Sequence, residues 1–199
     1  VVLDSNGPNN GVIINDVTPV EGASGNGMKF SGSGYIDLGF AFSTNVQDAI
    51  SLSAWIKPVT HSIDYQVLVI HEGLNNETFG LNIYPESGRI EFVTNGTTNP
   101  DFGIDGNFNL WDGEWHHLAA IYNGSNKIIY MDGEILAKID ATGTINSGEG
   151  LNLFIGAELN DLIPTNSYHG NIDEVKIYNY ALNTDEVAEL YKTVNRIQK

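Results

Sequence analysis

"DGEWHHLAAIYNGSNKIIYMDGEI", residues 112–135, is the stretch on which the fold turns. Side chains alternate between the two faces of a strand, so the adjacent His116 and His117 must point to opposite sides. That geometry denies them a shared metal, which two histidines at i and i+4 on a helix could hold. Further along, Asp132-Gly133 within "MDGE" is the pair that favours a two-residue type I′ hairpin, because both positions accept positive φ. Two adjacent antiparallel strands joined by a tight turn are therefore expected.

The same period of two extends outward from this stretch. Ile50, Leu52, Ala54 and Ile56 alternate with Ser51, Ser53, Trp55 and Lys57, and Phe79, Leu81 and Ile83 alternate with Gly80, Asn82 and Tyr84. Leu151, Leu153 and Ile155 continue the pattern, and all three segments read as half-buried strands. "PESG", residues 85–88, supplies a turn between two of them. One helix is expected near the end of the chain. Asn183 can cap it with Glu186 reaching back, and Val187, Leu190, Tyr191 and Val194 recur on one helical face. No linker, charge block or repeat of fixed period interrupts the chain, so residues 1–199 read as a single β domain long enough to bury a proper core.

Twenty-five acidic residues against nine basic ones give a net charge of -16. Such a surface repels nucleic acid and anionic membranes, whose phosphates need Lys and Arg partners. Arg89 and Arg196 are the only arginines, and with no cysteine there is no disulfide framework. The chain begins at Val1 and carries neither a signal-like segment nor an apolar run of membrane length. The expectation is a mature or excised domain whose targeting signal lies elsewhere.

Residues 112–135 closely resemble the signature of laminin G-like domains in the concanavalin A-like superfamily, where a W-H-H strand leads into a hairpin ending in Y-x-D-G. Three further pieces follow the same family order: "GMKFSGSGYIDLG" (27–39), "ISLSAWIKP" (50–58) and "YHGNIDEVKIYNYALNTDEV" (168–187). The resemblance implies an all-β, two-sheet antiparallel jelly-roll sandwich with a short C-terminal helix. It implies a domain that is secreted or displayed at a cell surface. It does not select a ligand, because the superfamily includes lectins, carbohydrate-binding modules, adhesion domains and some enzymes.

One acid calls for a partner. Strict alternation puts Asp173 on the same side as the apolar Val175 and Ile177, and a carboxylate facing a core is costly unless paired. In related jelly rolls the acid of this last strand is similar to a calcium ligand. Here the resemblance implies Ca2+ held by Asp173, by Asp4 in Leu3–Gly11, and by Gly32 in Ser31–Gly34. Calcium suits such a mixture of carboxylate and carbonyl oxygens. The alternative is an Asp173 that accepts backbone N–H groups and binds no metal.

For ligand binding, two surfaces stand out. On the hairpin Phe79–Thr94 the face opposite the apolar residues carries Asn82, Tyr84, Arg89 and Glu91, which make either a polar stripe for a sugar or a solvated outer face. Around one strand's ends lie Tyr65, His71, Glu72, Asn75 and Asn76, and Trp111 is the aromatic most readily assigned to a ligand. Trp55 reads as scaffold. His61 and His169 are scattered, and catalysis has little support. There is no cysteine nucleophile, no G-x-S-x-G elbow, and no E-x-D-x-x-E strand of the kind that hydrolases of this superfamily use. The expected role is a non-catalytic, calcium-stabilised module that binds a neutral polysaccharide or glycan. An adhesion or spacer domain recognising protein at a cell surface is the alternative, and a polysaccharide-degrading enzyme comes third.

Overall fold

The computed structural model describes residues 1–199 except 6, 8, 42–45, 60–64, 74–75, 107 and 198–199. In chain order the strands are β1 (Val12–Ile14), β2 (Val17–Glu21), β3 (Asn26–Ser31), β4 (Tyr35–Asp37), β5 (Ile50–Pro58), β6 (Gln66–Gly73), β7 (Asn76–Tyr84) and β8 (Arg89–Thr94). They continue as β9 (Asp101–Ile104), β10 (His116–Tyr122), β11 (Asn126–Met131), β12 (Glu134–Asp140), β13 (Asn152–Ile155), β14 (Glu158–Asn160), β15 (Ile163–Thr165) and β16 (His169–Tyr178). Helix α1 (Thr184–Ile197) follows the last strand.

Two seven-stranded antiparallel sheets form the sandwich. The first runs β1-β4-β13-β6-β7-β8-β9 and the second β12-β11-β10-β5-β16-β3-β2, while β14 and β15 pair as a separate small hairpin. The apolar half of each period-two segment meets in one core. Ile50, Leu52, Ala54 and Ile56 of β5 and Leu118, Ala120 and Tyr122 of β10 pack with Phe79, Leu81 and Ile83 of β7 and Ile90 and Phe92 of β8. Asp132 and Gly133, with φ of 52° and 84°, make the expected tight return between β11 and β12.

The helix changes the fate of the second sheet's outer face. Its start is a capping box: Asn183 Oδ1 accepts the Asp185 and Glu186 N–H groups at 2.9 and 3.0 Å, and the Asn183 N–H donates to Glu186 Oε2 at 2.7 Å. Val187 packs with Ala119, Ile121 and Tyr130, and Tyr191 stacks on Trp55 with ring centroids 5.6 Å apart. The Ser51–Trp55 side of β5 is therefore buried rather than half-exposed. Ser51 Oγ donates to Tyr180 O and accepts the Leu182 N–H. The outer face of the first sheet lies away from the helix and carries its own buried cluster of Tyr35, Val67, Ile70 and Phe154, against which Leu159 of β14 packs.

Asp173 does not face the core, contrary to the alternation of the sequence. Its register partner is Trp55, while Lys176 pairs with Ser53, so β16 carries one more residue than β5 across this interval. Glu174, with φ of 49°, accommodates the bulge. Ile172 and Ile177 stay opposite Ile56 and Leu52 on the inner side, and Asp173 is turned to the Trp55 side. There Asp173 Oδ2 accepts the Ser24 N–H at 2.9 Å and Oδ1 the Glu174 N–H at 2.8 Å. Burial pushes its carboxyl above the ordinary value, and these N–H groups pull it back.

Candidate functional site

On the outer face of the first sheet, β7 and β8 pair Asn82 with Glu91 and Tyr84 with Arg89. The phenol of Tyr84 donates to Glu91 Oε2 at 2.7 Å, and Arg89 donates Nε and Nη2 to Glu91 Oε1 at 3.1 and 3.0 Å. Arg89 Nη1 also lies 3.6 Å from Asp105. Tyr65, immediately before β6, stacks on Tyr84 with centroids 5.2 Å apart, and the Arg89 guanidinium sits 5.9 Å from the Tyr84 centroid. Because β7 lies between β6 and β8, these two groups flank the Tyr84 ring. The rings thus wall the face rather than offering Tyr84 as a free stacking platform.

A second group of acids adjoins this stripe. Glu72 of β6 pairs with Glu77 of β7 at a bulge, where His71 pairs with Phe79 and Thr78 is the extra residue. The bulge turns Glu77 away from the Phe79 side and lays it across Gly80, whose absent Cβ would stand 2.6 Å from Glu77 Oε1. The small β14–β15 hairpin closes one side. Glu72 Oε1 accepts the Leu159 N–H at 2.6 Å, and Glu158 accepts Tyr65 Oη at 2.5 Å together with Thr165 and Asn166.

Electrostatically the face is acidic and short of water. Burial, then the charges of Glu72, Asp101, Glu158 and Glu91, raise Glu77 to about 8. Burial is also the main cause that lifts Glu72 to about 7, with Glu158 adding to it and the Leu159 N–H opposing. Tyr65 and Tyr84 are both raised, first by burial and then by the carboxylates their hydroxyls meet. Two acceptors are enclosed without a hydrogen-bond partner, Glu77 Oε1 and Asn82 Oδ1. These groups can therefore receive hydrogen bonds from a ligand, while the Tyr65 and Tyr84 hydroxyls and the Arg89 guanidinium are engaged with carboxylates.

The Laminin_G_3 family model, described as the concanavalin A-like lectin/glucanases superfamily, matches residues 30–188. The chain belongs to this family. Among solved structures the Laminin_G_3 domain is similar to domain 4 of AbnA, a GH43 extracellular arabinanase from Geobacillus stearothermophilus, in complex with arabinotriose. The two share 21% identity with a TM-score of 0.67, over 92% of this chain and 88% of that one. It is also similar to the binding domain of botulinum neurotoxin serotype G (16% identity, TM-score 0.65, 96% of this chain and 48% of that). The binding domain of Paraclostridial Mosquitocidal Protein 1 gives 15% identity and a TM-score of 0.66, over 96% of this chain and 51% of that. The Laminin_G_3 domain spans about half the length of these two toxin binding domains, and at such identities the likeness is one of fold. No curated protein sequence matches it.

Within the Laminin_G_3 domain, the two surfaces expected from sequence merge into one. Tyr65 and Glu72 join Asn82, Tyr84, Arg89 and Glu91 on the same face. His71 does not join them. It stacks on the core residue Phe79 with centroids 5.0 Å apart, its Nδ1 lies 2.6 Å from Thr78 Oγ1, and burial lowers it to about 4. Trp111 packs against the inner core in the turn before β10. His61 and Asn75 lie outside the described residues, and of Asn76 only the backbone is described. Glu77 and Glu158 are the members that sequence reading missed. A bulge hides the orientation of the first, and the second belongs to a hairpin distant in sequence.

The calcium ligand set implied by the family resemblance is not assembled. Asp173 lies against Gly27 at one end of β3, and Gly32 lies beside His169 at the other. Five residues separate them, roughly 16 Å of strand at about 3.3 Å per residue. Ligands of one calcium must instead lie within about 5 Å of each other. Asp4 has its own local partners, since its Oδ2 accepts Asn9 N and Nδ2 at 3.1 and 3.2 Å. Among the described residues no group of three His, Asp or Glu side chains is placed to hold a metal.

Proposed function

We propose that this Laminin_G_3 domain is a non-catalytic carbohydrate-binding module that holds a neutral glycan on the outer face of the first sheet and works outside the cell or at its surface. One observation carries the reading. Tyr65, Glu72, Asn82, Tyr84, Arg89 and Glu91 come from separate segments yet converge on the face that the C-terminal helix leaves uncovered. Sugar hydroxyls need such a set of fixed polar groups beside aromatic walls. The arabinotriose complex of the similarly folded arabinanase domain supports a sugar as the ligand class. A binding role is supported over catalysis because Glu91 and Glu158 already use both carboxylate oxygens within the protein.

Isothermal titration against neutral arabinan, glucan, xylan and mannan oligosaccharides tests the proposal. At least one should bind, and Asn82→Leu or Glu91→Gln should weaken it about tenfold or more, as loss of a buried hydrogen bond does. Trp111→Phe should bind as the parent does. If no neutral glycan binds the folded domain, the proposal falls.

A further inference from the structure

Three Asn-x-Ser/Thr tripeptides occur in the chain, beginning at Asn76, Asn95 and Asn123. Such a tripeptide can accept an N-linked oligosaccharide when a transferase reaches both the asparagine amide and the hydroxyl two residues on. The fold treats the three very differently.

The first two are closed. Thr78, the hydroxyl residue of Asn76-Glu77-Thr78, is 1% exposed, and its Oγ1 lies 2.6 Å from His71 Nδ1. Asn95 donates its amide Nδ2 to Glu77 O at 2.8 Å. Thr97, two residues on, is buried and donates its hydroxyl to Thr94 O at 2.7 Å. Reaching either tripeptide means breaking hydrogen bonds whose groups are partly or wholly withdrawn from water, and that is costly.

The third is open. Asn123-Gly124-Ser125 forms the turn between β10 and β11, and both Asn123 and Ser125 are exposed. Asn123 Oδ1 accepts the Ser125 N–H at 3.0 Å and the Asn126 N–H at 2.7 Å, an Asx-turn that the hairpin holds in place. Gly124 supplies the φ of 82° between them. The carbonyl side of the amide is thereby fixed, while neither Asn123 Nδ2 nor Ser125 Oγ is bonded to another described residue. Two N–H groups on Oδ1 draw electron density toward the oxygen and acidify the amide N–H. That is the proton which must leave when this nitrogen is glycosylated.

We infer that Asn123 is the site at which the folded domain accepts an N-linked oligosaccharide from a polyprenyl diphosphate carrier. Asn123 Nδ2 bonds to C1 of the first sugar as the C1–O bond to the diphosphate breaks. The electron pair of that bond leaves with the diphosphate, and the amide gives up one proton. The turn belongs to the second sheet, so the modification uses no residue of the proposed glycan-binding face. The inference rests on the extracellular part of the reading above and not on its ligand.

The test incubates the folded domain with a purified oligosaccharyltransferase that accepts Asn-x-Ser/Thr and with its lipid-linked oligosaccharide. Three synthetic peptides, each spanning one tripeptide, are treated in parallel, and products are located by mass spectrometry. All three peptides should be modified, whereas the folded domain should gain a single glycan, at Asn123. Ser125→Ala, which keeps the Asx-turn acceptor but removes the hydroxyl, should abolish the addition, and Ser125→Thr should retain it. A folded domain left unmodified while the Asn123 peptide reacts overturns the inference, as does refusal of that peptide. Modification of the folded domain at Asn76 or Asn95 as readily as at Asn123 also overturns it. None of these results bears on the glycan-binding reading, which the titrations decide.

Discussion

Tyr191 of the C-terminal helix lies nearly parallel to Trp55, at an interplanar angle of 14°. The same tyrosine rests on Gly133 of the β11–β12 turn, where a Cβ would come within 3.2 Å of its ring. One side chain thus joins the helix to two separate parts of the second sheet. Tyr191→Ala should lower stability by about 1–3 kcal/mol, combining lost stacking with lost burial. Trp55 emission should shift to the red as the helix loosens. An unchanged melting temperature and spectrum would show that the helix is held by Val187 and Val194 alone.

Glu77 should make stability fall as pH rises. Its folded value of about 8 lies above the ordinary 4.5, so the folded protein keeps a proton that the unfolded chain has released. Stability from this group is complete below pH 4.5 and is lost as pH climbs through 8. The carboxylates facing it are Glu72 on β6, Glu91 on β8, Asp101 on β9 and Glu158 on β14. Glu77→Gln removes this slope. Denaturant titrations should find the variant equal to the parent near pH 4 and more stable by about 1–3 kcal/mol above pH 8. The same difference at both pH values would contradict this account.

His117 works in the opposite sense at the acid end. Its ring is buried between Ser53, at 2.9 Å from Nε2, and the Trp55 indole, and burial holds it near 4. The unfolded chain takes up a proton first, so stability present above pH 6.5 is lost as pH falls through 4. His71, also near 4, adds to the same slope. His117→Gln should flatten the fall of melting temperature between pH 6.5 and 4 relative to the parent. An unaltered slope would assign the acid sensitivity elsewhere.

Asp173 should depend on backbone donors and not on calcium. The carboxylate fits tightly against the β2–β3 turn, where a side chain at Gly22 would collide with it. Asp173→Asn turns an amide NH2 toward one of two N–H donors and should cost about 1–3 kcal/mol. The cost should be the same in calcium and in chelator, and the parent's melting temperature should not differ between them. A parent stabilised by calcium, with the effect abolished in Asp173→Asn, would restore the ion to this carboxylate.

The layered architecture was legible because its signals are local. Alternation marked β5 and β7, the Asp132-Gly133 pair marked a hairpin, and Asn183 with Glu186 marked the helix start. Much of this outer face was legible for the same reason, since Asn82, Tyr84, Arg89 and Glu91 face one way on a regular hairpin. Asp173 was misplaced and Glu77 was missed for one cause. Each sits beside a residue inserted into its strand, and an insertion reverses the faces without leaving a mark in the hydrophobic pattern. His71 was misjudged because its neighbours Phe79 and Gly148 come from other parts of the chain. The union of Tyr65 with Tyr84 and Glu158 depends on how three distant segments assemble, which no periodicity encodes.

The extra residue Thr78 gives this surface an unusual vulnerability to changes in chain length. Inserting one uncharged residue between His71 and Glu72, opposite Thr78, would restore strict alternation and swing Glu72 and Glu77 toward the Phe79 side, with no acid gained or lost. Chains of almost identical composition can therefore differ in whether they possess an acidic floor. Within the family, the spacing between His71 and Phe79 should sort such chains better than a count of their acids.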